Sequence, residues 1–250
     1  MLNIVVPMAG RGERFKNKGY DFPKPLIEVV EKKPMIQIAV ENIAPAYEHR
    51  FIFICLREHY EKYALKDLFK LITSDHEVVV IDKPTRGQAC SVLLAKEFID
   101  NDEDDLLTAN CDQFIDANIE DFITFSRKGN MHGSIITFKG THFKWSFVKK
   151  DENGFVIEAA EKRPISNDAT TGLYYFRKGK YFTEGIQRQI EKDVSINGEF
   201  YICPVYNEMI LKDMKIVTYE IPADKMYGLG TPEDLKNFQK NYERKGIANI

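Results

Sequence analysis

Cysteine is scarce: Cys55, Cys90, Cys111 and Cys203 are the only four in 250 residues, with no CxxC pair and none beside a histidine at metal-ligand spacing. That pattern excludes a structural zinc site, and the four read as reduced core thiols. Long apolar runs are missing too. None nears the roughly 18 residues of a membrane span, and residues 1–10, MLNIVVPMAG, lack a basic leader segment. A cytoplasmic protein with no membrane partner is expected. Charge of one sign is also absent, since 35 Lys and Arg face 38 Asp and Glu for a net −3, with no basic tail. No extended nucleic-acid surface is therefore expected, and any anion site must be local. With 15 Gly and 10 Pro the chain is neither collagen-like nor of low complexity.

What is present is a globular composition, 44% hydrophobic and 29% charged. The length suits one domain that buries about 70–75% of its unfolded surface. No repeat or linker divides the chain, so a single domain over 1–250 is expected. Apolar β-rich runs at Ile4–Val6, Phe51–Leu56, Val78–Ile81, Leu106–Ala109 and Ser134–Phe138 alternate with helical periodicity at 35–44, 58–70, 88–99 and 118–127. That alternation predicts a Rossmann-like α/β fold, with a doubly wound, mostly parallel sheet and a ligand beyond the carboxyl ends of its strands. From about 144 the pattern changes. Trp145–Lys150 and Val156–Ala160 flank the turn Glu152-Asn153-Gly154 and predict a small antiparallel layer. Strand Gly172–Phe176, helices over 179–192 and 203–211, and strand Ile216–Tyr219 follow. Thr231-Pro232 then opens a last helix with an N-cap and a proline at its first position.

The first strand runs into Met8-Ala9-Gly10-Arg11-Gly12-Glu13-Arg14-Phe15, a glycine-bearing turn that suits a tight strand exit or a phosphate chain held by backbone N–H groups. Phe15 stands where a dinucleotide fingerprint has its third glycine, and no GxxxxGK[ST] loop occurs. Charge favours the anion: residues 11–24 carry Arg11, Arg14, Lys16, Lys18 and Lys24 against only Glu13 and Asp21. Lys24 lies between Pro23 and Pro25, which stiffen the backbone that presents it. Asp112 follows the strand that ends at Ala109. A lone carboxylate there either caps a turn or begins a magnesium site, because magnesium often takes only one or two protein carboxylates. The run Asp102-Glu103-Asp104-Asp105 reads as a solvated turn.

A series of motifs runs in order across most of the chain. It comprises Pro7 to Phe15, Pro23-Lys24-Pro25-Leu26-Ile27-Glu28-Val29, Lys33-Pro34-Met35-Ile36, Pro84-Thr85-Arg86-Gly87-Gln88-Ala89, Ala109-Asn110-Cys111-Asp112, Glu161-Lys162-Arg163-Pro164, Ser166-Asn167, Thr171-Gly172-Leu173-Tyr174 and Gly198-Glu199. The series resembles the sugar-phosphate nucleotidyltransferases of the glucose-1-phosphate thymidylyltransferase-like family, which includes choline-phosphate cytidylyltransferase-type relatives. The resemblance implies a GT-A-like nucleotidyltransferase fold, with a nucleotide-binding part over about 1–140 and an acceptor-binding part over about 141–250. It implies a magnesium-dependent enzyme in which a phosphorylated small-molecule acceptor attacks the α-phosphorus of a nucleoside triphosphate, with a pyrimidine favoured, and pyrophosphate leaves. Precursors of surface polysaccharide are the implied use, and a homo-oligomer is left open. Carried over by residue, the resemblance makes Arg14, Lys24 and Asp112 catalytic, with Asp112 on the metal. Met8, Ala9, Gly10, Gly12 and Arg14 would line the nucleotide and Gln88 its base edge. Glu161, Lys162, Trp145, Ser146 and Gly172 would meet the acceptor.

Two departures stand out. The family places an aspartate two residues before the glycine of its last motif, whereas Met226-Tyr227-Gly228-Leu229-Gly230 has Gly228 there, so Asp224, Glu199 and Asp234 stay open as the second metal ligand. Where the family has a glycine against the sugar, this chain reads Lys144-Trp145-Ser146-Phe147, and Trp145 suits a hairpin core as well as a pocket wall. The acceptor is accordingly open between a sugar 1-phosphate and, with CTP, a phosphorylated amino acid or amine such as phosphoglutamine or phosphocholine. Two other classes remain: a GT-A glycosyltransferase, which normally carries Asp-x-Asp where Asn110-Cys111-Asp112 stands, and a nucleotide-binding regulator without catalysis.

Overall fold

The run LNIVVP has no polar alternation, and in the computed structural model, which describes residues 1–245, it forms the strand Leu2–Pro7 inside a nine-stranded sheet. His49–Leu56 pairs parallel on one side of it, with His76–Ile81 parallel beyond, and Asp105–Thr108 pairs parallel on the other side. Direction then reverses. Asp168–Phe176 runs antiparallel to both Asp105–Thr108 and Gly133–Lys139, and Ile216–Glu220 lies parallel to Gly133–Lys139. The predicted hairpin is Ser146–Lys150 with Val156–Glu161, and the pairing of Ala169 with Phe147 makes it continuous with the main sheet. Successive side chains alternate between two cores. Leu2, Ile4, Val6, Phe51 and Phe53 enter one, while Val5, Ile52 and Ile54 enter the other, so helices cover both faces.

Several helices are shorter than their periodicity. The stretch 58–70 divides into Arg57–Lys62 and Leu65–Ile72 because Ala64 adopts a left-handed conformation, with φ of 50°. The stretch 88–99 divides into Gln88–Leu93 and Lys96–Ile99, and 203–211 contracts to Val205–Ile210 behind Pro204. Helix Pro232–Lys245 begins where expected, with the Asp234 N–H donating to Thr231 Oγ1 at 3.1 Å. Two short ladders, Glu28–Val30 with Lys33–Pro34 and Gln113–Ile115 with Met226–Gly228, are too brief to leave a periodic signal. All four cysteines are free thiols, three of them buried and Cys90 half-buried. No helix among the described residues is long and apolar enough to cross a membrane.

A third, smaller core gathers Phe15, Ile27, Val29, Phe114, Leu229, Leu235 and Phe238. It fastens the loop after the first strand to the last helix, and it explains the phenylalanine at position 15: the side chain is an anchor, 1% exposed.

One carboxylate holds the sheet at its turning point. Asp168 accepts from Lys139 Nζ at 2.6 Å and lies 3.1 Å from Lys150 Nζ. Burial alone would raise its pKa, but the two ammonium groups outweigh burial and hold it below the ordinary carboxylate range. An unfolded Asp titrates near ~3.9. The stabilisation is therefore complete above that pH and is lost as pH falls through the lower folded value. Asp168→Asn is expected to cost about 1.5–3 kcal/mol at neutral pH, the range for hydrogen bonds to a charged group. It should also flatten the acid limb of a stability-against-pH curve measured by urea unfolding.

Candidate active site

The parallel strands Leu2–Pro7 and Asp105–Thr108 end side by side, and the loops that leave them make one wall each of a cleft of about 820 Å³. Met8 to Phe15 line it from the first loop, and Asn110, Cys111 and Asp112 from the second. Met8 and Ala9 are buried, and the Met8 N–H donates to Ile54 O at 2.8 Å, which pins the loop where it leaves the sheet. Arg14 is exposed on the short helix Glu13–Lys16 and lines the same cleft.

Lys24 enters from the turn Lys24–Leu26 and donates from Nζ to Asp112 Oδ2 at 2.8 Å. Burial favours the neutral amine, yet the Asp112 carboxylate and the neighbouring Cys111 outweigh burial, and the ammonium is held above its ordinary range. Both partners of this pair are about three-quarters covered, at 22% and 24% side-chain exposure, so water screens them weakly. Cys111 is no nucleophile: burial pushes its thiol up to about 11, against the opposing pull of Lys24.

The far wall is built by a backbone zipper. Phe200 N–H donates to Arg86 O at 2.8 Å, and Ala89 N–H donates to Phe200 O at 3.0 Å. Between them Gly87 has φ of +106°, and a β-carbon there would lie 2.5 Å from the Phe200 backbone. Only glycine lets the two segments close, and the closure sets Gln88 on one side of the cleft and Glu199 and Tyr201 on another. Gln88 donates through Nε2 to Asn110 Oδ1.

The five residues expected at the acceptor do not line this cleft. Ser146 donates to Glu161, whose carboxyl is raised by burial despite that bond and despite Lys162. Lys162 donates from Nζ to the Tyr201 hydroxyl at 2.7 Å, and that hydroxyl donates to Glu199 Oε2 at 2.5 Å. Tyr201 thus joins the two groups, and sequence alone gave no reason to single it out. Trp145, half-buried, stands edge-on to Phe138 at 5.4 Å and packs against the main core, in keeping with the hairpin-core reading of it. Gly172 is likewise spoken for: its open side is filled by the amides of Asn110 and Gln113.

Of the three carboxylates left open for a metal, only Glu199 lines the cleft. Asp234 accepts from Thr231 Oγ1 at 2.7 Å and from Lys144 Nζ at 3.5 Å. Asp224 lies in the turn Ala223–Lys225 and is not among the lining residues. No cluster of three His, Cys, Asp or Glu side chains suited to a metal exists among the described residues. The donor set fits an ion held by Asp112, with Glu199 the other carboxylate in the lining and phosphate and water supplying the rest. At Gly230 a β-carbon would lie 3.0 Å from Asp112 Oδ2, so the glycine keeps that side of the carboxylate uncovered.

The sequence pattern of the Nucleotidyl transferase family matches residues 4–244. The chain is 24% identical over 180 residues to the bifunctional protein GlmU of Methanocaldococcus jannaschii, covering 71% of this chain and 40% of that one. It is 24% identical over 184 residues to the mannose-1-phosphate guanylyltransferase catalytic subunit beta of Xenopus tropicalis, covering 70% and 49%. The chain thus spans less than half the length of these curated relatives. Among solved structures, a nucleoside-diphosphate-sugar pyrophosphorylase from Vibrio cholerae RC9 superposes with a TM-score of 0.83 and 28% identity, covering 95% of this chain and 99% of that one. With the family pattern running over nearly its whole length, from the first strand to the last helix, the chain belongs to the Nucleotidyl transferase family.

Proposed function

We propose that this chain transfers a nucleotidyl group from a pyrimidine nucleoside triphosphate to a phosphorylated small molecule, releasing pyrophosphate, with magnesium as cofactor. The observation that carries this is the Lys24–Asp112 pair, facing the glycine-bearing loop of Met8 to Arg14 across one cleft. The chemistry needs no general base, because a phosphate monoester has a second pKa near ~6 and is mostly dianionic at neutral pH. The protein must instead align the acceptor with the α-phosphorus and neutralise charge on the leaving pyrophosphate. Arg14 and Lys24 supply fixed positive charge, and the backbone of residues 8–12 follows the phosphate chain. A magnesium ion on Asp112 would add charge neutralisation at the phosphates. Lys162 does not itself line the cleft but donates to Tyr201, which does, and the acceptor phosphate is assigned to it on that link.

The acceptor class is the phosphorylated metabolite itself, sugar or not. Trp145, half-buried against the core, does not decide between them. A grid of the common nucleoside triphosphates against phosphorylated sugars, alcohols and amino acids, read by pyrophosphate release, tests this reading. Release with one pyrimidine triphosphate and one acceptor class supports it. Tight nucleotide binding with no release anywhere on the grid points to a nucleotide-binding regulator. Gln88→Ala should bring the kcat/KM values of the four triphosphates closer together while changing the best of them by less than about tenfold, because an unpaired polar group is what rejects the wrong base.

A further inference from the structure

From the wall of the cleft inward, three side-chain amides form a ladder. Gln88 donates through Nε2 to Asn110 Oδ1, and Asn110 donates through Nδ2 to Gln113 Oε1 at 3.1 Å. The ladder leads inward, from Gln88, which lines the cleft, to Gln113, which is 4% exposed. Its bed is a break in the sheet. The register between Asp168–Phe176 and Gly133–Lys139 shifts between Thr170 and Tyr174. Within that shift Gly172 has φ of +93°, and a β-carbon there would lie 2.2 Å from Asn110 Nδ2 and 2.6 Å from Gln113 Oε1. The bulge and its glycine exist in the space the amides need.

An amide ladder has a direction, since each member donates from nitrogen and accepts at oxygen. With one N–H of its nitrogen given to Asn110, the Gln88 amide is turned so that its carbonyl oxygen lies on the other side, available to a ligand in the cleft. We propose that Asn110 and Gln113 are positioning residues that fix this orientation, so that Gln88 presents an acceptor to the nucleobase and selects cytosine over uracil. The proposal rests on the reading of Gln88 as the base contact. Cytosine carries an amino donor where uracil carries a carbonyl oxygen. A carbonyl turned toward a carbonyl leaves two acceptors facing each other, whereas a freely turning glutamine would suit either base. The far end of the ladder shows what the orientation costs: Gln113 Nε2 is buried without a hydrogen-bond partner among the described residues.

The test measures kcat/KM for CTP and for UTP, with the acceptor identified by the grid. The unmodified enzyme should favour CTP at least tenfold. Asn110→Ala cuts the ladder and Gln113→Met removes its inner acceptor, so each should lower the CTP/UTP ratio at least fivefold, toward that of Gln88→Ala. Asn110→Asp is the rescue: its carboxylate still accepts from Gln88 and also accepts from Gln113 Nε2 once that amide turns. It should keep the ratio within twofold while raising KM for both triphosphates equally. A merely structural role would lower the melting temperature and leave the ratio alone, so an unchanged ratio in Asn110→Ala and Gln113→Met overturns the ladder while Gln88 as base contact stands. If UTP is used as well as CTP, the assigned direction is wrong. If Gln88→Ala also keeps the ratio, the base contact itself is wrong and the proposal fails with it.

Discussion

Asp112→Asn is expected to reduce pyrophosphate release below about a thousandth of the unmodified rate, with the melting temperature changed by no more than a few degrees. The substitution keeps volume and one hydrogen-bond acceptor, so Lys24 retains a partner at its 2.8 Å contact. What disappears is the negative charge that would anchor magnesium beside the phosphates. Chelation of the unmodified enzyme should give the same loss, and added magnesium should restore it there but not in the variant. Full activity of Asp112→Asn with magnesium present would remove this carboxylate from the mechanism.

Lys24→Ala should lower kcat by about two to three orders of magnitude, the range for losing one preorganised charge at a developing oxyanion. KM for the triphosphate should move far less, because the loop backbone and Arg14 remain to hold the ground state. The effect should not add to that of Asp112→Asn. The two side chains touch, and residues that act as a unit share one loss between them. If Lys24→Ala keeps near-normal kcat and only melts earlier, the Pro23-Lys24-Pro25 segment is scaffolding and no more.

The parallel half of the sheet was legible because strands buried on both faces read as unbroken apolar runs: Ile4–Val6 and Phe51–Leu56, inside the strands Leu2–Pro7 and His49–Leu56, are such runs. The cleft was partly legible for a different reason, the excess of positive charge between Arg11 and Lys24 in a chain of net negative charge. Helix breaks were not legible. Nothing about alanine foretells the left-handed turn at Ala64, which tertiary packing imposes. Tyr201 was equally hidden, since it reaches the cleft only through the zipper between Gly87 and Phe200, a contact between distant segments. Trp145 shows the limit of alternation in a hairpin. The pattern says that the ring faces one side of the sheet, but not that Phe138 awaits it there.

The anchoring of Phe15 by Leu235 and Phe238 bears on the order in which the molecule is made. The loop that would grip a triphosphate leaves the ribosome well before its hydrophobic seat, which is supplied by residues more than 200 positions later, where Gln239 also donates to Val29 O at 2.7 Å. A nascent chain that has exposed the sheet but not the last helix therefore has its strands without a settled phosphate loop. Nucleotide affinity should arise abruptly when the segment from Pro232 emerges, so stalled chains of increasing length, assayed for nucleotide retention, should show a step and not a gradual rise.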